Sequence, residues 1–105
     1  MTVKIQHHPR IAWDLARVLV SAAEAADDDE YVWFSAQLGE LLGNRHRWVL
    51  FDTRSRLSAD LGQDRRPAEL GLWRARLEGI MGERPELAEG LRILSQQAAV
   101  RFALR

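Results

Sequence analysis

Arg47-Trp48-Val49-Leu50-Phe51-Asp52 is the stretch on which the fold class turns. Four apolar residues between charges fit a buried strand as well as a helix, and periodicity inside so short a run does not separate the two. The continuation does. Leu50, Leu57 and Leu61 stand at i, i+7 and i+11, with Trp48 and Phe51 flanking them. One helix over about residues 45–61 therefore uses more of the apolar residues than a strand would.

Working outward, the neighbouring segments follow the same period. Pro9 supplies a first-turn residue for a helix to about Ala26, with Ile11, Leu15, Val18, Leu19 and Ala22 at helical spacing. Asp27-Asp28-Asp29-Glu30 then caps a second helix, about 29–43, and sets negative charge at its positive end. Phe34, Leu38, Leu41 and Leu42 form its inward stripe, and Gly43-Asn44 marks its stop. Downstream, Gly62-Gln63-Asp64-Arg65-Arg66-Pro67 reads as a linker. A fourth helix over about 67–82 carries Leu70, Trp73, Leu77, Ile80 and Met81 on one side. A fifth follows Arg84-Pro85 with Leu87, Leu91, Leu94, Ala98 and Phe102, and runs to the last residue. Thr2-Val3-Lys4-Ile5-Gln6 alternates like a strand but has no partner, so residues 1–8 read as an extended arm. The prediction is an all-α fold, a compact bundle or orthogonal cluster of about five helices, within one domain spanning residues 1–105.

Composition supports a packed globule. Apolar residues make up 47% and charged residues 29% of 105, far from the balance of disordered chains. There is no cysteine, which excludes disulfides, thiolate metal sites and a cysteine nucleophile. The longest nearly uncharged stretch, Val18 to Ala26, contains Glu24 and is too short for a bilayer. The expectation is no membrane contact and a cytoplasmic protein. Fourteen of the 15 basic residues are arginine, a bias that suits a GC-rich bacterial genome.

Net charge is zero but unevenly spread. Residues 1–43 carry 3 basic and 7 acidic groups, 44–76 carry 8 and 4, and 77–105 carry 4 and 4. A phosphate-binding domain usually shows a strong positive excess, so this pattern favours protein partners.

The sequence offers little chemistry. No phosphate loop, dinucleotide fingerprint, calcium loop or nucleophile elbow occurs. His7 and His8 are adjacent, and on an extended arm they would point to opposite sides, so they do not form a shared metal site. The acids from Glu24 to Glu30 read as a solvated cap. The expectation is a protein that is not an enzyme and takes no cofactor or metal.

Two features point to function. The fourth helix, the turn Gly82-Glu83-Arg84-Pro85 and the fifth helix have a helix-turn-helix outline, with Arg92, Gln96 and Gln97 as base-reading candidates. Arginines 45, 47, 54, 56, 65 and 66 could add an electrostatic footprint, whereas Glu86 and Glu89 at the start of the recognition helix would meet phosphates with like charge. The other feature is surplus apolar surface. On the fifth helix Ile93, Val100 and Leu104 form a second stripe roughly 140° from the first, and on the first helix Trp13 and Val20 sit nearly opposite the main stripe. A bundle of this size has room for about one helix buried on both sides.

The leading expectation is therefore a non-enzymatic protein–protein interaction module, an adaptor or regulatory protein, homo-oligomeric, with Trp13, Val20, Ile93, Val100 and Leu104 at the contact surface. The alternative is a small DNA-binding regulator reading bases through Arg92, Gln96 and Gln97. Two further readings concern packing. Trp13, Trp33, Trp48 and Trp73 are expected to share one aromatic core, and Gly71, Gly79 and Gly90 to mark close helix approaches.

Overall fold

The computed structural model describes residues 7–25, 28–59 and 64–103. Among them are five α-helices and no strand: α1 (His8–Glu24), α2 (Asp28–Leu42), α3 (Asn44–Ser58), α4 (Arg66–Glu83) and α5 (Ala88–Ala103). A 3₁₀ turn, Pro85–Leu87, leads into α5. The fold is an all-α bundle, as the period of the apolar residues predicts. None of the described helices is long and apolar enough to cross a membrane.

The ambiguous stretch is helical throughout. Leu50 and Thr53 face inward with Leu57 beside them, while Trp48 and Phe51 face solvent. Leu61, the last leucine of the expected stripe, lies outside the described residues, as do Gly62 and Gln63 of the expected linker. Within that linker the Asp64 carboxylate accepts the Arg66 backbone N–H at 3.0 Å, satisfying a donor in the first turn of α4. At the α2–α3 junction the chain reverses on a single residue. Gly43 has φ of +98°, a conformation that a side chain disfavours, and its N–H bonds Gly39 O at 2.8 Å to close α2.

Residues 1–6 of the expected arm lie outside the described residues. The arm's last two residues are not extended: His7 is a turn residue whose carbonyl accepts the Ile11 N–H, and His8 opens α1 with Pro9 in its first turn.

α1 is the centre of the bundle and packs against each of the other four helices. Ile11, Ala12, Leu15, Ala16, Leu19, Val20, Ala22 and Ala23 are all buried. At about 100° per residue they cover roughly half the helix circumference. Val20, expected at an outer contact surface, is thus a core residue. Ala12, Ala16 and Ala23 extend the leucine stripe round to it, and their small side chains let neighbouring helices cover that flank.

The expected aromatic core is also different. Trp73 is fully buried and Trp33 partly so, but Trp13 and Trp48 are exposed. Of the glycines expected to mark close approach, only Gly90 does: a Cβ there would lie 2.8 Å from Leu41 Cδ2 of α2. Gly71 and Gly79 face open space.

Two buried carboxylates fix the outer helices. Glu69 of α4 takes a bidentate pair from Arg56 of α3, at 2.6 and 2.9 Å. Beside it the Trp73 indole N–H donates to Thr53 Oγ1 at 2.8 Å, and that hydroxyl donates in turn to Val49 O. Glu30 of α2 receives Arg101 Nε of α5 at 2.7 Å, with the guanidinium 4.6 Å above the Trp33 ring. Each buried charge is matched across a helix boundary, so removing one partner would leave the other uncompensated.

Two substitutions test this core. Thr53→Val should cost about 1–3 kcal/mol, because it strands the buried Trp73 N–H without its acceptor, and an unchanged urea midpoint would contradict the network. Val20→Asp should abolish cooperative unfolding or lower stability by about 3 kcal/mol or more, whereas a mild effect would return Val20 to the surface.

Candidate interaction surface

α5 is amphipathic toward the core and apolar again on its back. Leu91, Leu94, Ser95 and Ala98 are buried against the bundle. Ile93 and Val100 point away from it, 40% and 62% exposed. They stand seven residues apart, about two helical turns, so they lie in one line along the helix.

α2 flanks this line and runs antiparallel to α5. Glu30, near the start of α2, holds Arg101 near the end of α5, and Leu41, near the end of α2, covers Gly90 near the start of α5. The surface between them has two shallow hollows separated by Gln97. Trp33, Gln96, Gln97, Val100 and Arg101 line one. Gln37, Glu40, Leu41, Gly90, Ile93 and Gln97 help to line the other. The outcome is an apolar strip whose polar members are mostly uncharged amides.

Of the five residues expected at a contact surface, the structure brings Ile93 and Val100 together. Trp13 is exposed on α1 but borders neither hollow. Val20 is in the core, and Leu104 lies outside the described residues.

The base-reading candidates divide. Gln96 and Gln97 share the hollow beside Val100, while Arg92 belongs to a separate groove of about 540 Å³ with His7, His8 and Glu86. Arg92 is already engaged: Glu89 takes it through two hydrogen bonds at 2.9 and 2.5 Å. Among the arginines of the expected electrostatic footprint, Arg54 pairs with Asp28, Arg56 with Glu69 and Arg66 with Glu24. Much of the basic middle segment is spent on holding helices together.

A second exposed apolar group lies on α3, where the sequence predicts Trp48 in an aromatic core. Trp48 and Phe51 are 71% and 50% exposed and meet edge to face, 6.4 Å between ring centroids. With Tyr31, Ser35, Asn44 and Arg47 they line a groove of about 410 Å³ between α2 and α3. Arg54 lies over the Tyr31 ring at 4.3 Å. Burial pushes the Tyr31 hydroxyl above its ordinary pKa, against the opposing pull of Arg54 and Arg47. The signal was present in the sequence: Asp52 and Ser55 follow Trp48 at i+4 and i+7, which marks its side of the helix as polar.

Comparison of the chain with models of protein families, with curated proteins and with solved structures finds no match in any of the three.

His46 provides a check on the electrostatics of the α3 N-terminus. Its partial burial lowers its pKa below 6.5; Arg76, Arg45 and Arg84 push the same way, against the hydrogen bond between Nδ1 and Leu42 O. The unfolded chain therefore takes up the proton first as pH falls. The stability that His46 contributes should be complete above about pH 6.5 and be lost as pH drops toward the folded pKa. NMR titration of the imidazole should give a value below 6.5, and one at or above it would contradict the placement.

Proposed function

We propose that this chain is a non-enzymatic protein–protein interaction module, an adaptor or regulatory protein that works as a homo-oligomer. The observation that carries the reading is the line of Ile93 and Val100 on the back of α5, exposed and opposite the buried face of the same helix. A peripheral helix needs one apolar stripe to fold, and a second stripe exposes apolar area to water with no gain for the monomer. Covering that area on association is favourable.

The Trp48–Phe51 edge on α3 lies in a groove distinct from the α2–α5 hollows and is rich in the residue types that dominate binding energy, with Trp, Tyr and Arg side by side. A module with one surface for itself and another for a different protein has the form of an adaptor. Base reading is less well supported, because Arg92 is accompanied by the Glu89 carboxylate, which would approach phosphates as a like charge.

Light scattering of Val100→Glu tests the reading. A carboxylate on the strip should weaken self-association about tenfold or more, since about 1.4 kcal/mol of buried charge cost suffices, while circular dichroism stays helical. Trp48→Ala with Phe51→Ala should leave the mass unchanged. A wild-type protein that is monomeric at every concentration, or a Val100→Glu variant with unaltered mass, would overturn the proposal.

A further inference from the structure

We infer that the α2–α3 groove beside Trp48 and Phe51 takes an acidic segment of a partner protein, one that presents a carboxylate to Arg47 and an apolar side chain to the two rings. This rests on the adaptor half of the reading above and names the chemistry of the partner that the second surface takes.

Arg47 differs from other arginines that cross a helix boundary. Arg54, Arg56 and Arg101 each meet a carboxylate of another helix, on Asp28, Glu69 and Glu30 respectively. Arg47 is held by neutral groups. Its stem lies against the α2 backbone at Gly39, where a Cβ would stand 2.5 Å from Arg47 Cδ and 2.8 Å from Cγ, so the absence of a side chain there makes the seat. One turn back along α2, the buried Ser35 hydroxyl accepts Arg47 Nε at 3.4 Å. Among the described residues Arg47 forms no ion pair with a carboxylate. The guanidinium is thus placed while its charge is left unneutralised, and its two terminal nitrogens suit the two oxygens of a carboxylate.

The aromatic half of the groove supplies the second contact. Trp48, Phe51 and Tyr31 line the same groove as Arg47. The Trp48 and Phe51 rings stand at 79° and make a corner that an apolar side chain fills, and both gain by being covered. Tyr31 closes the far end with Arg54 packed on its ring.

The distribution of charge selects the class of partner. A cationic side chain entering the corner would meet Arg47 and Arg54 as like charges. A nucleic-acid strand would satisfy Arg47 with one phosphate, but it carries a charge on every residue, and at the Tyr31 end it would run toward Asp28 and Asp52. A segment with a carboxylate at one end and an apolar side chain at the other matches both halves.

Selection of random short peptides displayed on phage against the full chain tests this, with the affinities of the selected peptides then measured by fluorescence anisotropy. The selected sequences should place Asp or Glu beside a large apolar side chain. Their affinity should fall about tenfold or more in Arg47→Gln and in Trp48→Ala, while both variants keep the helical circular dichroism and the mass of the wild type. Selection of basic or proline-rich peptides, peptides indifferent to Arg47→Gln, or no peptide at all would overturn the inference. An oligothymidylate that binds more tightly than the peptides and is lost in the same variants would overturn it in favour of nucleic acid. Failure of self-association is read separately, from the mass of the wild-type protein: a monomer that still takes acidic peptides through Arg47 removes the homo-oligomeric reading and leaves this one standing.

Discussion

The buried half of α1 is the constraint on which the rest of the structure depends. Leucines make one side of that half and alanines the other, so the helix is wide in apolar arc and narrow in bulk. Four helices can then reach it. Once one helix holds the centre, the remaining four are peripheral and each must show a face to water. Ile93 and Val100 are exposed for that reason: with α5 committed to the core through Leu91, Leu94 and Ala98, nothing among the described residues covers its opposite side. The surplus apolar face follows from the packing order.

Arginine does much of the positioning around that centre. Arg56 and Arg101 neutralise the two buried glutamates from neighbouring helices, and Arg54 and Arg66 tie further helix ends to Asp28 and Glu24. The planar guanidinium suits this work, bonding a carboxylate along its edge while its face lies over Tyr31 or Trp33. Three arginines of the basic middle segment that reads in sequence as a footprint for an anionic partner, Arg54, Arg56 and Arg66, are thereby internal wiring. The net charge of zero is consistent with that use.

Helix number, most helix ends to within one or two residues and the outward stripe of α5 were legible in the sequence, because they follow from period and from breakers such as Pro9, Gly43 and Pro85; α3 is the exception, ending at Ser58 rather than at about 61. The order of packing was not. Val20 looks like an outward residue only if Ala12, Ala16 and Ala23 are left out of the apolar stripe; counting them turns α1 into a half-buried helix and takes Val20 inside. In sequence Trp48 and Phe51 read as flanking the apolar run of Leu50, Leu57 and Leu61, whereas the side of α3 that packs is set by Leu50, Thr53 and Leu57. Thr53 was invisible as a core residue, since its burial depends on the Trp73 N–H arriving from another helix. Of the candidate surface, Ile93 and Val100 were legible and the α2 flank was not, because which helix lies beside α5 is a tertiary fact.

The central claim is that the back of α5 is a self-association surface. Backbone amide chemical shifts of the unmodified protein, followed by NMR through a dilution series, address it most directly. The account predicts that the resonances moving with dilution belong to Ile93, Gln96, Gln97 and Val100, together with Trp33 and Gln37 on α2. Shifts independent of concentration, or changes confined to Trp48 and Phe51 on α3, would contradict it.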